Sequence, residues 1–183
     1  MRSPVLERII NTALFYFGWL LSINEAAVGK PFYGLMVVLS IICYHLYRSQ
    51  YRLADLGLLL IVLVCGPLTD VFYASVGLLE YQCQMTHLAW VPPYWIFFLW
   101  GLFAVNVPLF AWLRHRRLLC MLFGAIGAPV SYMSAIRLGC ATMLLPIPWF
   151  FLIVGGIWAV FLPSVIGLSH WLRESNWKET KGT

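Results

Sequence analysis

Three charged residues interrupt apolar stretches of this chain: Glu25, Asp70 and Arg137. A charge near the centre of a bilayer costs at least about 2.5–3.5 kcal/mol, so each needs a partner, a water-filled cavity or a function. Two acids and one base could form a buried ionic network that fixes how helices pack. They could also do chemistry: an arginine binds an anionic head group, and an acid carries a proton or acts as a general base. The sequence leaves both interpretations open.

Aromatic residues accompany these charges and complete a candidate ligand site. We expect Tyr94, Trp95 and Tyr132 to line the approach to Arg137, and Asp70 to position its guanidinium group. The alternative is anchoring, because Trp and Tyr concentrate where helices meet the membrane surface. Tyr81 is expected to be such an interfacial residue.

Asp70 stands in the stretch "GPLTD", directly after a helix-disturbing pair. Pro67 frees a backbone carbonyl one turn earlier, and Gly66 leaves space beside it. Freed backbone groups at membrane depth must be satisfied within the protein. The stretch therefore predicts a small polar pocket around Asp70.

Composition defines the class of protein that must position these residues. Hydrophobic residues make up 62% of the 183 residues and charged residues 10%, whereas soluble domains carry about 25% charged residues. This excludes a soluble globular protein and predicts an integral membrane protein. The net charge of +5 comes from residues between apolar runs. It forms no basic stripe, so we expect no nucleic-acid partner.

Six apolar runs approach the roughly 20 residues that a membrane-crossing helix needs. They are residues 9–28, 32–47, 53–79, 94–113, 118–138 and 148–172, followed by a polar tail at 173–183. We predict an all-α integral membrane protein in which residues 1–183 form one compact bundle of six transmembrane helices. The second run is short, so five spans remain an alternative.

The distribution of basic residues predicts the orientation of the bundle. With a cytoplasmic amino terminus, ten of the 12 Lys and Arg residues fall in cytoplasmic segments, while Lys30 and Arg137 fall outside. Cytoplasmic loops carry an excess of Lys and Arg. We therefore expect six spans with both termini in the cytoplasm, and Glu25, Asp70 and Arg137 all in the outer half.

Small residues in the fifth run predict close helix packing. Gly124, Ala128, Ser131 and Ala135 are spaced so that they share one helix face. Such a face lets a neighbouring helix approach closely.

The cysteines and the soft metal ligands of the sequence give only weak evidence for a disulfide or a metal site. Cys83 and Cys140 both fall outside in the predicted topology, where a disulfide could join them. Cys83, Met85 and His87 are soft ligands in one loop, but a metal site needs more of them, and we expect none. No nucleotide-binding or hydrolase motif occurs, so we expect no cofactor.

Five stretches together resemble a bacterial family of membrane proteins known as DUF2878. They are "NTALFYFGWL", "GKPFYGLMVVL", "GPLTDVFYASVGLLEY", "PYWIFFLWGLFAVNV" and "GAIGAPVSYMSAIRLG". Asp70, Tyr94, Trp95 and Tyr132 fall in these stretches with Arg137, whereas Glu25 does not. The resemblance implies a bacterial inner-membrane location and a role linked to lipid or fatty-acid modification.

The leading functional hypothesis is therefore a protein that binds or handles a lipid-like amphiphile. Its expected partners are membrane lipid and a lipid-modifying enzyme that it assists. One alternative is a small proton-coupled transporter that uses Glu25 or Asp70. Another is a membrane enzyme that acts on outer-leaflet lipid with Asp70 as the base. The sequence does not fix the oligomeric state.

Overall fold

The computed structural model describes residues 4–82, residue 88 and residues 90–181. This part of the chain folds mainly into six α-helices, which confirms the predicted helical class. The helices are α1 (Pro4–Ala27), α2 (Phe32–Arg48), α3 (Arg52–Ser75), α4 (Tyr94–Asn106), α5 (Arg117–Arg137) and α6 (Ile147–Lys181). A 3₁₀-helix (Val107–Leu113) continues α4, and two short strands, β1 (Leu79–Tyr81) and β2 (Ala141–Met143), complete the fold.

Four segments in the described part of the chain are long and apolar enough to cross a membrane. They are Arg52–Ser75, Tyr94–Leu113, Arg117–Arg137 and Ile147–Ser175, while Phe32–Arg48 is a shorter apolar helix. This is the organisation of a multi-pass membrane protein.

Helix α4 lies at the centre of the bundle. Its sequence is apolar on every side, as expected of a helix surrounded by others, and most of its residues are buried. It contacts α1, α2 and α3, while α5 packs mainly on α6, which also contacts α3. Pro108 has no backbone N–H, and the chain there tightens into the 3₁₀-helix.

Two glycines end helices and turn the chain into a small sheet. Gly77 after α3 and Gly139 after α5 have φ angles of 67° and 90°, a backbone conformation that glycine adopts without steric cost. Each turn leads directly into a strand, and β1 pairs antiparallel with β2, with Tyr81 opposite Ala141. The predicted third run, 53–79, therefore extends too far: α3 ends at Ser75, and Leu79 belongs to a strand.

Two other glycines let neighbouring elements approach closely. A Cβ atom at Gly66 in α3 would collide with the indole ring of Trp100 in α4. A Cβ atom at Gly124 in α5 would likewise collide with the carbonyl oxygen of Trp158 in α6. Gly66 thus sets the distance between α3 and α4, and Gly124 the distance between α5 and α6.

The contact at Gly66 makes a testable prediction. Gly66→Ala should lower the thermal unfolding temperature, because the added methyl group forces Trp100 to move. Overpacking of this kind costs about 1–3 kcal/mol. The measurement is thermal unfolding of the purified protein in detergent, followed by circular dichroism.

Gly156→Ala is the matched control, because a Cβ atom there meets nothing within 4 Å. Alanine in place of glycine within a helix is favourable by about 0.5–1 kcal/mol, so this variant should be as stable as wild type or more so. Equal stability of the Gly66→Ala and Gly156→Ala variants would contradict the close approach of α3 and α4.

Candidate functional site

Asp70 in α3 is fully buried and accepts three side-chain hydrogen bonds. Its Oδ1 atom accepts from the hydroxyl of Tyr81 at 2.5 Å and from that of Tyr132 at 2.8 Å. Its Oδ2 atom accepts from the indole N–H of Trp100 at 2.5 Å. We call these four residues the Asp70 node. They join α3 to β1, α4 and α5.

Local structure explains how each donor reaches the carboxylate. Gly66 lies one helical turn before Asp70 on the same face, so the Trp100 indole packs over the glycine and meets the acid. Trp158 of α6 stacks on Trp100, with ring centroids 5.2 Å apart and planes 13° from parallel. The turn at Gly77 brings Tyr81 back over the end of α3.

The electrostatics of the node depend on hydrogen bonds rather than on a counter-ion. An ionised carboxylate only accepts hydrogen bonds, and three donors face this one. The ion pairs in the described part of the chain join other residues: Glu7 with Arg48, Asp55 with Arg173 and His170 with Glu174. Burial raises the pKa of Tyr81 well above its ordinary value, and the Asp70 charge raises it further. Tyr81 therefore stays protonated and donates.

A cavity of about 120 Å³ opens beside the Asp70 node. Its walls are almost entirely apolar or aromatic. Residues of α1, α3, α4, α5, α6 and both strands contribute, among them Phe15, Trp19, Asp70, Tyr81, Trp95, Trp100, Phe103, Ser131, Tyr132, Ala135, Cys140 and Trp158. The cavity thus lies where most elements of the bundle meet.

Two buried donors close to the node are not satisfied by hydrogen bonds. The hydroxyl of Tyr73 and the indole N–H of Trp158 make none with the described residues. Tyr73 lies near enough to Thr69 and Trp158 to interact electrostatically, but the geometry of a hydrogen bond is missing. Trp158 also lines the cavity with its ring, but its N–H is buried and lies near Tyr73.

The structure does not bring Glu25, Asp70 and Arg137 together, which corrects the expected ionic cluster. Arg137 is exposed at the end of α5 and is not among the described residues that line the cavity. The physical reason is helical phase: Arg137 follows Ala135 of the cavity wall by two positions, about 200° around the helix. The Asp70 carboxylate is held by three neutral donors instead of positioning a guanidinium group.

Glu25 also lies away from the cavity. It follows Ile23, a cavity residue, by two positions, and so points to another face of α1. Its Oε2 atom accepts the backbone N–H of Tyr33 at 3.2 Å. A carboxylate at the start of a helix stabilises it, so Glu25 caps α2.

The aromatic candidates divide between the site and its surroundings. Tyr132 belongs to the Asp70 node, and Trp95 lines the cavity while donating to the Gln82 carbonyl at 3.2 Å. Tyr94 begins α4 and packs against the core without lining the cavity.

The small-residue face of α5 has two roles. Gly124 and Ala128 are buried, with Gly124 against α6. Ser131 and Ala135 continue the same face and border the cavity. The same face of α5 therefore packs against α6 and borders the aromatic cavity.

The cysteine and metal predictions fall largely outside the described residues, because Cys83, Met85 and His87 lie there. The disulfide between Cys83 and Cys140 therefore stays a prediction. Cys140 is buried in the cavity wall, and its Sγ atom donates to the Ala135 carbonyl at 3.2 Å. Within the described ranges no three His, Cys, Asp or Glu residues are grouped so that they could hold a metal ion.

Sequence reasoning missed two members of the node, Trp100 and Tyr81. The position of Tyr81 at the end of an apolar run suggested an interfacial anchor, but its hydroxyl is buried and donates to Asp70. One signal could have pointed to Trp100: a glycine four residues before a buried acid leaves room on that face for a large side chain. Nothing in the sequence says which of the chain's nine tryptophans fills it.

A second, more polar cavity of about 230 Å³ lies at the other end of the bundle. Its rim carries the Glu7–Arg48 and Asp55–Arg173 pairs, with N···O distances of 3.0 and 2.7 Å. The Asp55 pair ties the start of α3 to α6. We call this the basic end, because Arg114, Arg116 and Arg117 also lie there.

The fold and the buried node define a helical multi-pass membrane protein with an aromatic cavity. More particularly, the chain belongs to the family described as "Protein of unknown function (DUF2878)", whose model matches residues 8–164. This confirms the resemblance seen in the sequence. No curated protein and no solved structure matches the chain.

The Asp70 node predicts how single substitutions affect stability. Tyr81→Phe and Tyr132→Phe should each lower the free energy of unfolding by about 1.5–3 kcal/mol, the range for a lost hydrogen bond to a charged group. Tyr33→Phe is the control, because the Tyr33 side chain is exposed and only its backbone bonds Glu25. Denaturant unfolding in detergent is the measurement. The node would be wrong if all three variants matched wild type.

Proposed function

We propose that this protein binds a lipid-like amphiphile in the aromatic cavity beside Asp70. The cavity itself carries the proposal: it lies where most elements of the bundle meet, its walls are apolar and aromatic, and a buried polar cluster adjoins it. Binding sites for small molecules have this combination of apolar walls and a few fixed polar groups. Sites for drug-sized ligands measure about 300–1,000 Å³. At about 120 Å³, this cavity suits one end of an amphiphile rather than a whole phospholipid.

The polar groups beside the cavity leave little hydrogen bonding for a ligand. The hydroxyls of Tyr81 and Tyr132 already donate to Asp70, and the indole N–H of Trp158 is buried. The ligand would therefore be held mainly by apolar contact with the aromatic walls.

Binding is favoured over catalysis by the state of the carboxylate. Three hydrogen bonds occupy three of the about four acceptor positions of the Asp70 carboxylate, so at most one lone pair, on Oδ2, is left to remove a proton from a substrate. The protein would then act as an accessory that presents or stores the amphiphile for a separate lipid-modifying enzyme.

The proposed setting is a bacterial inner membrane, with six spans and both termini cytoplasmic. The unequal distribution of Lys and Arg between the two ends of the bundle supports this orientation. The basic end carries Arg48, Arg52, Arg173 and the run from Arg114 to Arg117, while Lys30 and Arg137 lie at the opposite end. The basic end would face the cytoplasm.

A second candidate function is proton-coupled transport through Asp70. One observation favours it: the acid is fully buried and has no ion pair with the described residues. Intramembrane acids of this kind occur in the proton relays of transporters. Transport would appear as pH-dependent flux in proteoliposomes that Asp70→Asn abolishes.

The binding proposal predicts the effect of filling the cavity. Ser131→Phe places a large ring in the cavity wall and should reduce the ligand that co-purifies at least tenfold, which corresponds to about 1.4 kcal/mol of binding free energy. The measurement is mass spectrometry of molecules extracted from gently purified protein.

Ser134→Phe is the matched control, with the same substitution one turn further along α5 at a residue that does not line the cavity. It should retain the ligand at the wild-type level, as should Arg137→Ala, whose side chain lies outside the cavity. Equal ligand content in the Ser131→Phe and Ser134→Phe proteins would exclude the cavity as the binding site. A loss in Arg137→Ala alone would place the ligand at that arginine instead.

A further inference from the structure

A large open cleft lies at the basic end, between the start of α5 and the middle of α6. Its volume is about 1100 Å³, much larger than that of the aromatic cavity. One wall is the basic row Arg114, His115, Arg116 and Arg117, which connects the 3₁₀-helix to α5. The other walls are apolar and include Val160 and Pro163 of α6.

The charge of this cleft is uncompensated. Among the described residues that line it, none is Asp or Glu. The guanidinium groups of Arg116 and Arg117 are exposed and form no ion pair with the described residues. Arg114 contacts His170, which itself pairs with Glu174 at 3.2 Å. Within the described part of the chain, Arg116 and Arg117 therefore face an open space without a counter-ion.

The apolar part of the cleft continues directly from the basic row. Gly167 of α6 lines it, and a Cβ atom there would meet nothing within 4 Å. Further along the same helix come Ser164, Pro163, Val160 and Ala159, most of them small or compact. The result is a channel beside α6 that starts at cationic groups and runs along apolar ones.

We propose that this cleft binds an anionic phospholipid from the surrounding membrane. Arg116 and Arg117 would hold the phosphate and head group, since guanidinium groups match phosphate oxygens well. An acyl chain would lie along α6 past Gly167 and Pro163. Basic pockets between membrane helices are known to bind anionic head groups.

Membrane orientation alone does not account for the arrangement. The positive-inside rule requires only that basic residues lie on one side. It does not require two arginines without a counter-ion among the described residues at the mouth of an apolar channel. The site is also independent of the aromatic cavity, because the described residues that line the two are different.

The test measures lipid retention by the full-length protein. Purified protein is mixed with phosphatidylglycerol or with phosphatidylcholine of the same acyl chains, and native mass spectrometry counts the bound lipids. Wild type should retain phosphatidylglycerol in preference to phosphatidylcholine. The double variant Arg116→Gln/Arg117→Gln should lower that preference roughly 30-fold, from about 1 kcal/mol for each basic residue near anionic lipid.

Two matched controls separate the site from general effects. Arg52→Gln removes a charge at the same end but outside the cleft, and it should leave the preference unchanged. Gly167→Phe fills the channel and should reduce retention of both lipids. Gly127→Phe, in α5 where a Cβ atom also meets open space, should not.

Three results would overturn the proposal. The first is equal retention of the two lipids by wild type. The second is an unchanged preference in the double arginine variant. The third is displacement of the lipid by inorganic phosphate together with wild-type retention in Gly167→Phe, which would indicate a site for free anions. Loss of the cavity ligand in Ser131→Phe bears on none of these three results, so the proposals for the two sites can fail separately.

Discussion

The buried carboxylate of Asp70 is the interaction on which the rest of the structure depends. A buried charge is tolerated only when it is paired or hydrogen-bonded, and here Tyr81, Trp100 and Tyr132 supply three donors. They come from three different elements, so one side chain of α3 holds β1, α4 and α5 in place. Without the acid, all three donors would be buried and unsatisfied, at about 1–3 kcal/mol each.

Several other features of the chain follow from this requirement. Gly66 is needed because the Trp100 indole must pass over α3 to reach the acid. The turns at Gly77 and Gly139 are needed because the paired strands carry Tyr81 back over the helix end. The four residues of the Asp70 node then form a wall of the aromatic cavity. Stability and the candidate binding site thus share one set of contacts, while the basic end forms a separate region with its own ion pairs.

The sequence predicted the helical class and the approximate course of the helices, because the length of an apolar run and the helical rise leave little freedom. It also named Asp70, Trp95 and Tyr132 as candidates for a ligand site, since polar or aromatic groups in an apolar helix need a reason to be there, and these three residues line the aromatic cavity. The strands were not predicted, because three-residue strands carry no periodic pattern. Gly77 and Gly139 were their only signal.

The expected cluster of Glu25, Asp70 and Arg137 failed for a different reason. Membrane depth can be read from position in an apolar run, and depth alone suggested that the three charges meet. Helical phase relative to the neighbouring helices decides contact, and phase depends on tertiary packing. Arg137 lies two positions after Ala135, and Glu25 two positions after Ile23. Because Ala135 and Ile23 line the cavity, both charged residues point to other faces of their helices. Of the donors that replace the arginine, Trp100 belongs to another helix and Tyr81 reaches the acid only through the turn at Gly77, so no helical spacing around Asp70 indicated either one.

The most direct test of the Asp70 node is a double-mutant cycle between Asp70→Asn and Trp100→Phe. The free energy of unfolding is measured in detergent for wild type, both single variants and the double variant. If the indole N–H donates to the carboxylate, the two effects will be non-additive by more than about 0.5 kcal/mol. Additive effects, equal within about 0.3–0.5 kcal/mol, would contradict a direct bond between these residues and with it the central place of Asp70 in the fold.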